Sequence, residues 1–258
     1  MARDFPFRVY QLGSGSSGNL TALEGPEGVL LVDAGFPARE VIRRLERAGL
    51  DRRAVRALLL THAHLDHARG AGVLARRLKI PILAAPWTLE NLGGLRGREE
   101  LLPVPERGTF RAAGFLVETL PAPHDIPGTL MVKVEGKVGL ATDLGHAGEE
   151  VRNFLSGLEG LLLEFNHDVE MLRNGPYPSW LKKRILSPRG HLANDQAAEL
   201  LAGPGFTPPR RVLWLCHLSE KNNRPELALQ AARRVIRNGG VSILVATPSG
   251  DPRPRTFP

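Results

Sequence analysis

A histidine-rich segment at the end of an apolar run constrains this chain more than any other feature. Residues 61–67 read THAHLDH and contain three of the eight histidines of the chain. On an extended backbone, His62 and His64 project to the same side and can bind one ion. Asp66 and His67 then enter a helix, where adjacent side chains diverge, so we expect them to reach a second ion. Imidazole and carboxylate ligands suit zinc, and the segment therefore predicts part of a metal site.

Three later apolar runs lead to further candidate ligands, which are His124, Asp143 and His217. Because ligands gather at the carboxyl ends of strands in an open sheet, we expect these residues to join the histidine segment. Asp33 ends the apolar run Val29–Val32 in the same way. We assign it a supporting role, in which it hydrogen-bonds the histidine segment and orients it.

Apolar and amphipathic segments alternate along the rest of the chain. We predict strands at Phe7–Leu12, Val29–Val32, Ala57–Leu60, Ile80–Ala84, Phe115–Leu120, Leu130–Val134, Val138–Ala141, Gly160–Leu163, Arg211–Leu215 and Ser242–Ala246. We predict helices at Ala38–Ala48, Asp66–Leu78, after Pro86, near Glu149–Leu155, at Asn194–Ala202 and at Pro225–Asn238. Hairpin strands followed by strands that alternate with helices indicate an α/β fold, with two sheets packed face to face between helices as a four-layer αββα sandwich.

Length and composition favour one domain. The chain has 258 residues, of which 42% are hydrophobic, and this is enough for a two-layer core. We expect a single domain over residues 1–250 and a frayed C-terminal tail over residues 251–258. Residues 1–10 carry charges and lack the apolar run of a secretion signal, and no later stretch approaches the ~18 apolar residues of a membrane span. These features predict a cytoplasmic protein with no membrane partner.

The single cysteine, Cys216, excludes an internal disulfide and a zinc site built from sulfur ligands. Its apolar neighbours favour a buried strand residue over a nucleophile.

An excess of basic residues favours an anionic partner. The chain has 34 Lys and Arg against 27 Asp and Glu, a formal charge of +7. Residues 171–190 combine Tyr177 and Trp180 with Arg173, Lys182, Lys183, Arg184 and Arg189. This mixture suits a nucleic-acid strand through phosphate pairing and base stacking. A solvated basic loop is an equal alternative.

The His-x-His-x-Asp-His pattern followed by a later His, Asp and His resembles the metallo-β-lactamase superfamily. Residues 12–19, 32–35, 141–145, 164–168 and 217–223 resemble its WalJ/YycJ branch, which is associated with DNA exonuclease activity. The resemblance implies two divalent metal ions, with zinc favoured and manganese or iron as alternatives. It also implies the ligand sets: His62, His64 and His124 for one ion, Asp66, His67 and His217 for the other, and Asp143 bridging both.

Residues 190–194 resemble the histidine loop of the tRNase Z-like phosphodiesterases, although Ala193 stands where that family has serine. In that family the histidine contacts phosphate or protonates the leaving oxygen. The resemblance therefore implies that His191 is catalytic, together with Asp66 and with Glu164, which would fix the tautomer of His191. For His191, a capping or hydrogen-bonding role before the helix at Asn194 is the alternative.

Other polar residues near these motifs have two possible roles. The glycine-rich residues 13–18 favour a hairpin turn over a phosphate loop because they lack the Walker lysine. Ser16, Ser17 and Asn19 could still hydrogen-bond a substrate, and Asn222 is placed in the same group. His167 and Asp168 either line the site or brace the following loop. His146 is expected to be an ordinary surface histidine.

The leading functional hypothesis is a binuclear metal-dependent phosphodiesterase, a DNA exonuclease that uses a hydroxide shared by the two ions. Its rivals are a small-molecule hydrolase acting on thioesters or lactones and a non-catalytic nucleic-acid-binding protein. The span from His124 to Asp143 is too short for the substrate arm of typical tRNase Z enzymes. The span from Asp143 to His217 is too short for the extra domain of ribonuclease J-like proteins.

Overall fold

The computed structural model describes residues 5–237 and 239–258, and the described chain divides into two compact units. The first unit contains the described residues up to Pro121 together with Ile126–Glu135 and Thr247–Pro258. The second unit contains Ala122–Asp125 and Gly136–Ala246. The single domain expected over residues 1–250 stays a prediction.

The first unit is built around a seven-stranded mixed sheet with the strand order β14-β1-β2-β3-β4-β5-β6. These strands are β1 (Phe7–Gly13), β2 (Leu20–Gly25), β3 (Gly28–Val32), β4 (Val55–Leu59), β5 (Ile82–Ala84), β6 (Leu101–Pro103) and β14 (Arg255–Phe257). Pairing is antiparallel from β14 to β3 and parallel from β3 to β6. The central parallel strands β3 and β4 are mostly apolar and buried, with the exposed Arg56 of β4 as the exception.

Three further strands of the first unit form an antiparallel meander. They are β7 (Gly108–Ala112), β8 (Phe115–Pro121) and β9 (Leu130–Val134). Each predicted strand overlaps an observed strand of the chain. The apolar pattern does not predict β2, β6, β7 or β14, because their sequences are short or alternate weakly between apolar and polar residues.

The helices of the first unit are α1 (Ala38–Arg47), α2 (Leu65–Ala68), α3 (Ala71–Leu78) and α4 (Pro86–Glu90), with a 3₁₀ turn at Arg52–Ala54. The prediction of a single helix over Asp66–Leu78 is wrong, because the helix is interrupted between α2 and α3. A Cβ atom on Gly70 would lie 2.2 Å from the carbonyl oxygen of Phe36, and the amide of Gly70 donates to the carbonyl of Ala34. This close backbone approach requires glycine and interrupts the helix.

The frayed C-terminal tail expected over residues 251–258 is also wrong. Strand β14 pairs with β1, and Phe257 is 1% exposed. Its ring stacks on Phe7 with the centroids 5.6 Å apart. Burial of this aromatic ring and the hydrogen bonds of the edge strand hold the terminus in place.

The second unit contains a parallel sheet in the order β10-β11-β12-β13. Its strands are β10 (Val138–Ala141), β11 (Gly160–Glu164), β12 (Val212–Cys216) and β13 (Ser242–Val245). Its helices are α5 (Glu149–Leu155), α6 (Val169–Asn174), α7 (Ser179–Ile185), α8 (Asn194–Ala202) and α9 (Pro225–Val235). Cys216 is buried in β12, as expected. Crossover helices join the strands, which parallel pairing requires.

Two segments of the second unit differ from their sequence predictions. The last helix was expected to reach Asn238 but ends at Val235, and Asn238 lies outside the described residues. The loop considered for residues 171–190 contains the end of α6 and all of α7. Among the described residues, no helix has the length and apolar character needed to cross a membrane.

Candidate metal centre

Three of the predicted site residues have left-handed backbone conformations where strands end. Asp33 follows β3 with φ 64°, Asp143 comes shortly after β10 with φ 59°, and His217 follows β12 with φ 57°. Such conformations cost of order 1–3 kcal/mol for residues other than glycine and persist where the surrounding structure imposes them. Each turns the chain sharply at the carboxyl edge of its sheet, where ligands are commonly bound.

The predicted ligands are divided between the two compact units, and the first unit holds four of them. His62 Nε2 lies 3.0 Å from His64 Nδ1, and His67 Nε2 lies 3.5 Å from Asp66 Oδ2. Two donors bound to one tetrahedral zinc at ~2.0–2.1 Å would be about 3.3 Å apart. Both separations are within a few tenths of an ångström of that value, so this donor set fits the binding of divalent cations.

Asp33 holds the histidine segment from behind. Its Oδ1 accepts hydrogen bonds from the backbone amide of Thr61 at 2.8 Å and from its hydroxyl at 2.9 Å. Its Oδ2 accepts from His67 Nδ1 at 2.8 Å. With Nδ1 protonated, the lone pair of His67 is on Nε2, the atom that faces Asp66. The Thr61 hydroxyl also lies 3.1 Å from His62 Nδ1. Our sequence reasoning missed Thr61, although its position directly before the motif could have indicated a role in orienting it.

Asn19 connects the glycine-rich turn to the same segment. Its side-chain oxygen accepts from the Ser14 hydroxyl at 3.2 Å, and its amide nitrogen lies 3.0 Å from His67 Nε2. The backbone amide of Asn19 donates to the carbonyl of Asp66 at 2.8 Å. The turn joins antiparallel strands β1 and β2, as the hairpin interpretation expects. Ser16 and Ser17 are exposed on this turn.

Glu164 is the central acceptor of the second unit and is fully buried at the end of β11. It accepts hydrogen bonds from His191 Nδ1 at 2.9 Å and from His217 Nδ1 at 2.8 Å. It also accepts from three backbone amides, those of Asp143 at 3.2 Å, Leu144 at 2.9 Å and Leu192 at 3.0 Å. One carboxylate therefore orients two imidazoles and leaves the Nε2 atom of each with its lone pair or proton available. The sequence indicated the contact with His191 and missed the contact with His217.

The other predicted ligands of the second unit lie beside this carboxylate. The potential ligand atoms of Asp143, Glu164, His191 and His217 all lie within 4.8 Å of one another. His124 Nε2 is 3.7 Å from Asp143 Oδ1, and its Nδ1 donates to the carbonyl oxygen of Gly190 at 3.1 Å. His124, Asp143 and His217 are buried. A cluster of buried imidazoles and carboxylates of this density is typical of a site that binds cations.

Burial and charge act in opposite directions on the pair formed by Glu164 and His191. Burial would raise the pKa of Glu164, but attraction to His191 and hydrogen bonds from His191 and His217 hold that pKa below its usual range. Burial would lower the pKa of His191, but its attraction to and hydrogen bond with Glu164 raise that pKa. The charged form of each residue therefore stabilises the charged form of the other.

Among the remaining candidates of the second unit, Asp168 has a structural contact, and the roles of His167 and Asn222 stay predictions. Asp168 begins α6, where its side chain accepts from the amide of Met171 at 2.8 Å. His167 is buried with Nδ1 3.3 Å from Asn166 Oδ1, and burial lowers its pKa to about 4. Asn222 is buried, and its backbone carbonyl oxygen accepts a hydrogen bond from the backbone amide of Asp168 at 2.9 Å.

Two further predictions concern single histidines. His146 is exposed, as expected, with Nδ1 2.9 Å from the carbonyl of Pro188. The alternative that His191 caps α8 does not describe its side chain, which contacts Glu164. At the start of α8, the side chain of Gln196 accepts a hydrogen bond from the Ala193 amide instead.

Comparisons with known proteins agree with this arrangement. The sequence profile of the Metallo-beta-lactamase superfamily matches residues 13–191. Exodeoxyribonuclease YycJ of Bacillus anthracis is 34% identical over 90% of this chain and 90% of its own length. Exodeoxyribonuclease WalJ of Streptococcus pneumoniae serotype 2 is 34% identical over 86% of this chain and 85% of its own length. The crystal structure of the metallo-β-lactamase fold protein YhfI from Bacillus subtilis covers 98% of this chain and 99% of its own, with a TM-score of 0.74 at 18% identity.

These matches confirm the expected αββα sandwich and the expectation of a metal-dependent hydrolase. The residues matched by the profile include six of the seven predicted ligands, all except His217. The chain therefore belongs to the metallo-β-lactamase superfamily.

Proposed function

We propose that this protein is a metal-dependent exodeoxyribonuclease that hydrolyses the phosphodiester bonds of DNA. Its similarity to two exodeoxyribonucleases over most of the chain supports this substrate class. The structural observation that carries the proposal is the buried carboxylate of Glu164, which holds His191 beside Asp143 and His217. A metal-dependent nuclease uses a cation site and a nearby proton donor, and this arrangement offers candidate residues for both roles together.

We propose that seven side chains hold two divalent cations. In this assignment His62, His64 and His124 bind the first ion, Asp66, His67 and His217 bind the second, and Asp143 binds both. Nitrogen-rich ligands favour zinc, and manganese or iron are the alternatives. When bound, two such ions supply an activated water molecule and neutralise charge on a phosphate. Asp33 and Glu164 contribute by accepting the Nδ1 protons of His67 and His217, which would leave the Nε2 lone pairs of these two residues available to bind a cation.

His191 is assigned the role of proton donor to the leaving group. Its Nδ1–H is held by Glu164, so the proton available for transfer is on Nε2. In the hydrolysis, a bond forms between phosphorus and the oxygen of an attacking water molecule, which releases one proton to solvent, and the bond between phosphorus and the leaving sugar oxygen breaks. The proton of Nε2 passes to that leaving oxygen, and the imidazolium–carboxylate contact with Glu164 becomes a neutral imidazole hydrogen bond.

The proposal is tested with purified protein, zinc or manganese, and end-labelled duplex DNA. Wild type should release nucleotides from the labelled DNA. His191→Ala should retain its metal content, measured by elemental mass spectrometry, and cleave roughly 10²–10⁴-fold more slowly. His146→Ala is the matched control because this exposed histidine belongs to the same unit and lies outside the cluster, so it should cleave like wild type.

A second substrate separates proton donation from a general loss of structure. A p-nitrophenyl ester of a nucleotide has a leaving group that needs no proton, so the His191→Ala defect should shrink on this ester. An equal defect on both substrates would remove His191 from the proton-donor role. Loss of metal from this variant would make the residue structural.

The rival functions give different results. Turnover of thioesters or lactones with no action on any DNA would identify a small-molecule hydrolase. Equal DNA binding by wild type and Asp66→Ala, with no cleavage by either protein, would identify a nucleic-acid-binding protein. The cytoplasmic location stays a prediction from the sequence.

A further inference from the structure

Helix α7 of the second unit presents an aromatic and basic face to solvent. Trp180, Lys183 and Arg184 are spaced as i, i+3 and i+4 and therefore share one side of the helix. All three are exposed, and Trp180 is 66% exposed, whereas Ile185 on another side of the helix is buried. An exposed tryptophan combines a large apolar ring with a polar N–H group, a combination that is enriched at binding surfaces.

The segment that contains this face is rich in basic residues. Residues 171–190 contain five Lys and Arg and no Asp or Glu. Among the described residues, Arg173 and Arg184 pair with the carboxylates of Glu170 and Asp125. Lys182 donates to the carbonyl of Arg173 at 2.7 Å, which leaves its charge uncompensated. A partner that covers Trp180 must therefore tolerate a positive field, which favours a polyanion.

Helix α7 is directly connected to the histidine loop. The amide of His191 donates to the carbonyl of Ile185, in the last turn of α7, at 3.0 Å. A Cβ atom on Gly190 would lie 2.1 Å from that same carbonyl oxygen. The Gly190 carbonyl accepts from His124 Nδ1, and Arg184 pairs with Asp125, the residue after His124. The end of the helix thus contacts the proposed proton donor His191 directly, and it contacts Asp125, the neighbour of the proposed ligand His124.

We propose that the face formed by Trp180 and Lys183 binds an unpaired segment of the DNA strand, and that α7 holds this strand in register with His191. Trp180 stacks on a base, and Lys183 contacts a backbone phosphate. Stacking is independent of base identity because every base has a π face, which is the property an exonuclease needs to act on any sequence. This inference rests on the proposed function for its choice of DNA as the polyanion.

Binding of a fluorescein-labelled single-stranded oligonucleotide to the full chain tests the proposal, with metal removed by EDTA so that no cleavage occurs. Trp180→Ala should weaken binding roughly 5- to 150-fold, the cost of one lost stack. Trp180→Phe should recover most of this loss, because phenylalanine also stacks. Lys183→Ala should reduce the slope of log affinity against log salt by about 0.7, which corresponds to one phosphate contact on a single strand. Arg233→Ala removes an exposed cation from α9 and is the matched control, expected to bind within twofold of wild type.

The possible outcomes test the α7 surface and the proposed exodeoxyribonuclease activity independently. If wild type cleaves DNA and both the Trp180 and Lys183 variants bind like wild type, the α7 surface is refuted and the exodeoxyribonuclease proposal stands. If wild type binds DNA through Trp180 but cuts no DNA with any metal, the surface stands and the activity is refuted. If Arg233→Ala weakens binding as much as Lys183→Ala, the binding is diffuse electrostatic attraction and the α7 surface is refuted. Thermal melting of each variant confirms that it is folded.

Discussion

Replacement of Glu164 by glutamine should destabilise the protein far more than an isosteric change normally does. The carboxylate accepts five hydrogen bonds, three on Oε1 and two on Oε2. Glutamine has one oxygen and one NH₂ group, so either orientation turns the NH₂ toward at least two N–H donors. In the better orientation the amides of Leu144 and Leu192 lose their acceptor. Each buried donor left unpaired costs ~1–3 kcal/mol, which gives a total of about 4 kcal/mol.

Thermal unfolding followed by circular dichroism measures this effect. For a chain of this size, about 4 kcal/mol corresponds to a fall in melting temperature on the order of 8–16 °C. Glu118→Gln is the matched control, because Glu118 is partly exposed and pairs only with Lys133 across the sheet surface among the contacts described here. It should change stability by less than about 1 kcal/mol. Glu164→Gln protein that melts within 2 °C of wild type would refute the role of this carboxylate as a shared acceptor.

Two other substitutions test single contacts. Asp33→Asn keeps a residue type that tolerates the left-handed conformation, so its main effect is the loss of the charged acceptor of the His67 Nδ1 proton. Metal affinity, measured by competition with a chelator, should fall roughly 10- to 100-fold. Unchanged affinity would refute the orienting role of Asp33. The hydrogen bond from Arg43 holds the pKa of Glu40 at about 2, below its unfolded value, so its contribution to stability is present above about pH 4.5 and is lost as the pH falls toward 2. Glu40→Gln should therefore be about 1 kcal/mol less stable than wild type in urea at pH 7, allowing for solvent screening, and equally stable near pH 2; a difference that persists at pH 2 would show that charge is not its source.

Elements whose signals are local could be predicted from the sequence. Helices α5 and α8 begin and end where the pattern places them, because their apolar stripes and the glycines beside them lie within one short window. Helix α7 escaped prediction because its lysines, arginine and exposed tryptophan obscure an apolar stripe that is only two residues wide. Strand β14 was missed for a different reason. Its stability comes from pairing with β1, at the other end of the chain.

Residue identity and strand-end position were sufficient to propose the metal-binding residue types. The contacts between those residues depend on distant parts of the chain. The break at Gly70 requires the carbonyl of Phe36, and the orientation of His67 requires Asp33. The sequence around Gly70 does not reveal its contact with Phe36, because a helical pattern reports only which face is apolar. The contact of Asp33 with the histidine segment was expected from its strand-end position, but the partner atom, His67 Nδ1, was not.

By itself, the sequence determined the donor chemistry of the site and the family to which the chain belongs, because both depend on which residues follow which strands. Only the tertiary structure decided that one carboxylate, Glu164, serves two histidines and three backbone amides. Its partners lie 20 to 53 residues away along the chain. These hydrogen bonds form because the parallel strands β10, β11 and β12 bring their carboxyl ends together, and local sequence periodicity does not indicate which strands are neighbours.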